Sequence, residues 1–350
     1  MTSQTFITSK EPWLAVILST TFPGVGQIYA GKILRGFILI FVALSLVGLG
    51  GWSILSPTGS VWFGLQLLVG YLMLTIFGLF DAHRCTRRGN NGEFEILRRG
   101  DKDPWAAVFL SMIVPGLGHA YQRKWLFAIL FFILIFGSRY LARALPIVYL
   151  LTIGLSYFCL YHVYTYSPTR RVKSQRLILT VCLILLSIQL FTVLFAFSLR
   201  TFVVETRYIP SDAMLPTLQV NDRFIVDKLG YRFKLPQRRD IVVFSPTATL
   251  EKENIRDAFI KRIIGLPGEN LEVKAGKVYI NGQPLHEDYI SDPPQYHYGS
   301  IKVPPNSYFV LGDNRNNSYD SHYWGFVSQD HIIGRATKIF WPLKRSGVIK

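Results

Sequence analysis

Residues 177–199 form an unbroken run without one charged side chain. A helix needs about 20 such residues to cross a hydrocarbon core about 30 Å thick, and a water-soluble fold has no use for a segment so long and so uniformly apolar. The 350-residue chain is 50% hydrophobic, and its length leaves room for a second, separate domain. A membrane protein with a soluble part is the expected class.

The formal charge of +16 would suggest a nucleic-acid partner if it were spread over the chain. It is not. Residues 1–198 hold 17 Lys+Arg against 6 Asp+Glu, whereas residues 199–350 hold 21 against 16. Much of the excess lies in two short stretches, 84–102 and 170–176, as the positive-inside bias of a multi-pass protein predicts. No aromatic-interleaved basic motif supports a nucleic-acid partner. Cys85, Cys159 and Cys182 have neither metal-ligand spacing nor an obvious pairing, so no disulfide, metal or cofactor is expected. His83, His119, His162, His286, His297 and His331 form no triad or ligand set. Residues 1–10 are polar, which excludes a cleavable leader of ordinary pattern.

The apolar half is duplicated at an offset of 92 positions. Pro12, Trp13, Ala15, Leu18, Ser19, Pro23, Gly24, Gly26, Tyr29 and Lys32 recur as Pro104, Trp105, Ala107, Leu110, Ser111, Pro115, Gly116, Gly118, Tyr121 and Lys124. Ten identities at one offset are hard to reach by chance. Each copy opens with Pro-Trp and breaks at Pro-Gly-x-Gly, residues unsuited to a helix interior, so the opening stretches are read as interfacial or re-entrant. Apolar segments at 34–55 and 61–80, and again at 125–137 and 146–166, supply two crossings per copy. Residues 177–199 make the fifth. The expected organisation is a membrane repeat at 1–80, a basic cytoplasmic loop at 81–103, a second repeat at 104–166, a second basic loop at 167–176, the anchoring helix at 177–199 and a soluble domain at 200–350.

Beyond residue 200 the pattern changes to short alternating runs at 223–227, 240–244, 259–264, 271–273, 277–280, 308–311 and 336–340, punctuated by Pro-Gly, Asn-Gly and Pro-Pro. These features predict a mainly β domain, with a hairpin at Asn281-Gly282. About 150 residues are enough to bury a core.

Three segments of this domain carry chemistry. The first is Ile209-Pro210-Ser211-Asp212-Ala213-Met214-Leu215-Pro216-Thr217, the second Phe259-Ile260-Lys261-Arg262-Ile263-Ile264-Gly265, and the third Gly312-Asp313-Asn314-Arg315-Asn316-Asn317-Ser318-Tyr319-Asp320-Ser321-His322. In order and composition they resemble the boxes of the type I signal peptidases, membrane serine endopeptidases with a Ser-Lys dyad, and the resemblance spans about residues 203–342. A further stretch, Arg238-Arg239-Asp240-Ile241-Val242-Val243-Phe244, resembles the family's Arg-Gly-Asp-Ile-Val-Val-Phe with Arg239 in place of glycine, and is given a structural role.

The resemblance implies a fold of α-helical membrane region followed by a signal peptidase I domain, and a role for each matching position. The family's nucleophilic serine precedes the methionine, and here that position is Ala213, which has no oxygen with which to attack. Ser211 matches the hydroxyl that helps bind the oxyanion, and alanine keeps the backbone N–H that completes that hole. Lys261 matches the general base, whose amine must be neutral near pH 7, a state that desolvation promotes and neighbouring Arg262 favours. The ordinary reading of Lys261 alone is an exposed strand lysine. Ser318 would orient the amine, with Arg262, Asp313 and Asp320 as supporting ion-pair groups. His322 replaces a common Arg, exchanging a permanent charge for a titratable one. Ile209 and Ile260 would line shallow substrate pockets, although isolated aliphatics are ordinarily core.

Three readings stay open on sequence alone. One is a binding protein that holds signal peptides of preproteins without cutting them, partnered by the bilayer and by an active paralogue or export machinery. Another is an active peptidase using a different hydroxyl; Ser211, on the same face of an extended segment, would lie about 6–7 Å from position 213. The third is an active enzyme whose serine was engineered to alanine. All place the chain in a cytoplasmic-type membrane with its C-terminal domain outside. Reporter fusions after Lys102 and Lys173 test this topology: both should report from the cytoplasm, and outer-compartment activity at either site overturns the five-crossing arrangement.

Overall fold

The computed structural model describes residues 9–145, 147–169 and 173–350. The apolar segment expected at 146–166 begins on a residue outside this set, and the basic stretch 170–176 has three residues outside it. The chain forms two compact units. One runs to Gly50 and then covers Gln66–Leu194; the other comprises Gly51–Leu65 and Phe195–Lys350.

The first unit is helical, and the 92-residue offset reappears in its geometry. α1 (Pro12–Thr21) and α6 (Pro104–Ile113) each open with proline at the first turn, where its missing N–H costs nothing. Ten residues rise about 15 Å, half a hydrocarbon core, so neither helix can cross one. Each ends at the Pro-Gly break, where Gly24 and Gly116 have φ of +108° and +86°, and a short helix follows, α2 (Val25–Tyr29) or α7 (Leu117–Tyr121). The same hydrogen bonds close both copies. Gly26 N–H donates to Ser19 Oγ and Gly118 N–H to Ser111 Oγ, each at 3.1 Å; Glu11 N–H donates to the Tyr29 hydroxyl at 3.1 Å and Asp103 N–H to the Tyr121 hydroxyl at 3.2 Å.

The longer helices follow: α3 (Ile33–Leu55) and α4 (Val61–Gly89) after the first break, α8 (Trp125–Leu141) and α9 (Val148–Thr165) after the second, then α10 (Gln175–Phe202). Among the described residues four helices, α3, α4, α9 and α10, are long and apolar enough to cross a membrane, and α8 is a shorter apolar helix. Leu14 and Ile17 of α1 and Trp105 and Val108 of α6 share one core with Leu160 and Val163 of α9 and Ile178 and Val181 of α10. The two opening stretches are therefore packed helices. Within the stretch read as loop 81–103 lies α5 (Gly92–Gly100), capped by the Asn91 side chain, with Glu93 and Glu95 in its first turn and Arg98 and Arg99 in its last. Cap and charges complement the helix dipole, a signal the sequence carried and the loop reading passed over.

In the second unit, β1 (Val204–Tyr208), β2 (Arg223–Asp227), β3 (Ile241–Phe244), β4 (Phe259–Gly265), β5 (Asn270–Lys274), β6 (Lys277–Ile280), β7 (Gln283–Pro284), β8 (Tyr298–Lys302), β9 (Ser307–Leu311), β10 (Val327–Ser328), β11 (Ile332–Trp341) and β12 (Gly347–Val348) form two antiparallel sheets. The larger runs β1-β2-β11-β3-β4-β9-β10 with β12 on β11, and the smaller β7-β6-β5-β8. All seven predicted strand runs are strands. Asn281 and Gly282 have φ of 51° and 80° between β6 and β7, the positive pair that a two-residue hairpin requires. Alternate residues of β3 face different cores: Ile241 and Val243 join Phe224 and Val226, while Val242 and Phe244 join Ile263 and Val310. A strand buried on both sides is the setting that desolvates a polar side chain on its neighbour, β4.

A Cβ on Gly118 would overlap the backbone carbonyl of Ala107, which belongs to a helix and cannot swing aside. Gly118→Ala should therefore lower stability by about 1–3 kcal/mol despite alanine's higher helix propensity. Thermal unfolding in detergent followed by tryptophan fluorescence should shift down by several degrees; an unchanged or raised midpoint would contradict this packing.

Candidate active site

Chain segments distant in sequence meet at β4. Lys261 is 3% exposed, and its Nζ donates to Ser318 Oγ at 2.8 Å. Burial pushes the lysine pKa down to about 8, against the opposing pull of Asp320 and Asp313. Arg262 was expected to push in the same direction, but its charge is taken up elsewhere. It forms a bidentate pair with Asp313, Nε to Oδ1 at 2.8 Å and Nη2 to Oδ2 at 2.6 Å, both residues being almost fully buried.

The Arg262–Asp313 pair ties the three boxes together. The Thr217 hydroxyl donates to Asp313 Oδ2 at 2.5 Å and accepts from Arg262 Nη2 at 3.2 Å. Arg262 Nη1 donates to the carbonyl of Arg239 at 3.0 Å, and the guanidinium lies over the Tyr289 ring, 4.1 Å from its centroid. Arg239, standing where the motif it resembles has glycine, adopts φ of +74°. A non-glycine residue there stores about 1–2 kcal/mol of strain, and the guanidinium of Arg239 finds the His286 carbonyl at 2.6 Å.

Ala213 is brought to the same place. Its carbonyl accepts from Asn314 N–H at 3.1 Å, and Asp212 accepts from the side-chain amides of Asn314 and Asn317 at 3.2 and 3.0 Å. A Cβ on Gly312 would overlap both Ser318 Oγ and the Ala213 carbonyl, so the glycine is what lets position 213 approach the Ser318–Lys261 pair. Among the described residues the N–H of Ala213 donates to no group, and the position is 9% exposed.

The first box is not extended, contrary to the sequence reading. Residues 211–217 form successive bends and turns, with Leu215 N–H on the Asp212 carbonyl at 3.0 Å and Leu218 N–H on that of Met214 at 2.9 Å. Proline at 210 and 216 and short polar residues between them favour turns over a ladder. Ser211 is exposed in a bend, so the same-face spacing of an extended segment does not apply. Asp320 differs as well: it does not pair with Arg262 but accepts Gly312 N–H at 2.9 Å and lies 2.6 Å from His322 Nδ1. His322 stacks on Tyr296 with centroids 4.2 Å apart. Ile209 is 1% exposed within the core of Phe224 and Val226, and Ile260 is half-buried at its margin, as isolated aliphatics ordinarily are.

Sequence reasoning missed two supports. Thr217 was passed over although it lies in the first box. Arg315, 1% exposed, holds Glu287 at 2.6 and 2.9 Å and donates to the Gly312 carbonyl at 3.0 Å, fixing the third box from a residue that no spacing rule could indicate.

Residues 182–341 match the family model described as signal peptidase, peptidase S26. A protein named probable signal peptidase I-2 from Synechocystis sp. is 58% identical over 157 residues, spanning 45% of this chain and 72% of its own length. The chain belongs to the signal peptidase I family. Signal peptidase I from Leptolyngbya laminosa is 59% identical over 158 residues, 45% of this chain and 78% of that protein, and probable signal peptidase I-1 from Synechocystis sp. is 49% identical over 183 residues, 52% and 88%. The family match begins inside α10 and leaves the duplicated helices outside it.

In this signal peptidase I domain the Arg262–Asp313 pair is the joint between boxes, and removing one partner strands a buried charge. Asp313→Ala should cost about 3–5 kcal/mol, read as a lower urea midpoint for the C-terminal domain. An unchanged midpoint would mean that water reaches the pair.

Proposed function

We propose that this chain receives the signal peptides of exported precursors at a signal peptidase I site and holds them without cutting. The observation that carries the reading is an assembled base, Lys261 sealed against Ser318 at 2.8 Å, beside a position that offers only a methyl group. In the family to which the chain belongs, the lysine amine takes the proton of the serine hydroxyl as its oxygen adds to the scissile carbonyl. With Ala213 there is no oxygen to add and no proton to take, so the covalent route stops before its first bond. Binding needs none of this. An extended segment adds main-chain hydrogen bonds to a sheet, with side-chain pockets setting preference, while the free N–H of Ala213 and the Ser211 hydroxyl are donors for a carbonyl oxygen lying over the site. On this reading the domain is extracytoplasmic, the protein crosses the membrane several times, and an active paralogue or the export machinery is its partner.

Cleavage by Ser211 would require a hydroxyl at the Lys261 amine, whereas the partner of that amine is Ser318. A loss of attack at 213 typically leaves only weak residual acceleration.

The test is precursor cleavage in membranes or detergent, comparing the chain with Ala213→Ser. The unchanged chain should bind a labelled signal peptide yet leave the precursor whole. Ala213→Ser should cut it, with a rate that rises about tenfold per pH unit up to about pH 8 and then levels, because the lysine acts as base only when deprotonated and burial places its pKa at about 8. Adding Lys261→Ala should abolish that cutting. Cleavage by the unchanged chain that disappears with Lys261→Ala would overturn the proposal, and its further loss with Ser211→Ala would name the substitute nucleophile. Failure of Ala213→Ser to cut would show the site to be defective beyond position 213.

A further inference from the structure

Lys338, on β11, is a lysine in the wrong place for a solvated charge. It is 1% exposed, and its Nζ reaches four backbone carbonyls: Ser53 at 2.9 Å, Ile54 at 3.0 Å, Ser56 at 3.1 Å and Gly59 at 2.8 Å. All four belong to the turn joining α3 to α4, and residues 51–65 are part of the same compact unit as the C-terminal domain. No carboxylate takes part in this contact, so the ammonium is held by peptide dipoles alone.

The turn is built to receive a cation. The last carbonyls of a helix lack intrahelical partners and carry the negative end of its dipole, and Ser53 and Ile54 are the last residues but one of α3. The chain then doubles back. Ser56 N–H donates to the Trp52 carbonyl at 2.7 Å, Gly59 N–H to that of Ser56 at 3.2 Å, and Ser53 Oγ to that of Ser60 at 2.8 Å. A Cβ on Gly59 would overlap the Ser53 backbone, so the fold-back is as tight as a backbone allows. Carbonyls from both limbs converge on one point. An ammonium has three donors in a compact head, and this cradle fits that head.

We propose that the α3–α4 turn is a carbonyl cradle whose ligand is the Lys338 ammonium, making the turn of the first helical hairpin an integral part of the peptidase domain. Neither side is satisfied without the other: the turn keeps orphan carbonyls and β11 keeps a buried charge. The aligned relatives match this chain over its C-terminal part, the family match spanning residues 182–341, so the cradle comes from sequence outside that match while the lysine lies within it. The proposal does not depend on what peptide the domain holds.

Hydrogen–deuterium exchange on the full-length protein in detergent tests this directly. Lys338→Met keeps the length and apolar stem of the side chain and removes the charge. Amides of residues 56–60 should exchange at least tenfold faster in Lys338→Met, while the four-stranded sheet at 270–302, far from β11 in the strand order, keeps its protection. Lys338→Arg, which restores a cation, should recover part of it. Exchange in the turn that changes less than twofold in Lys338→Met would overturn the cradle, and so would faster exchange of equal size in both the turn and the 270–302 sheet, which would mark Lys338 as a general folding residue.

Discussion

The 2.8 Å contact between the Lys261 amine and the Ser318 hydroxyl sets the conditions for the rest of the C-terminal domain. An amine with a pKa of about 8 exists only where water is excluded, and exclusion is the product of a whole sheet. β3 and β9 flank β4, and apolar side chains on both faces leave the amine one polar partner in reach. Asp313 and Asp320 would raise the pKa if they were free to do so. Their charges are instead spent on Arg262, on Thr217 and on His322 with Gly312 N–H. Paired acids thus permit a poorly solvated base between them.

Ala213 alters this arrangement very little. The backbone of position 213 still holds the third box through Asn314, and Gly312 still leaves room for its approach. The family's scaffold is maintained by contacts of the first box that do not involve the side chain at 213: Thr217 to Asp313, and Asp212 to Asn314 and Asn317. Loss of the attacking oxygen is therefore a chemical change with hardly any structural counterpart, which is why binding and cutting are separable here.

Much of this was legible in the sequence because it is local. Strand runs with period 2, the Asn281-Gly282 hairpin and the offset of 92 depend on residues near one another in the chain, and the copies agree in the first and last residues of α1 and α6 and of α2 and α7. The three boxes were legible by resemblance. What sequence did not disclose was how groups are shared across space. Glu287 and Lys338 lie in unremarkable stretches, and their partners are 28 and about 280 residues away. The first box reads as extended because its apolar residues alternate, yet two prolines and local hydrogen bonds turn it. Asp320 was assigned to Arg262 by charge, and geometry gave it to His322. The helix α5 was hidden by the charge of its stretch, although its cap and its charge order were both present.

The central claim, a working base beside an absent nucleophile, is tested most directly by titrating Lys261 itself. With lysine labelled by ¹³C at Cε in the full-length protein, and the Lys261 signal assigned by its loss in Lys261→Met, the account predicts a midpoint near pH 8. A midpoint at the ordinary lysine value, about 10.4, would show the amine to be solvated and would contradict the account.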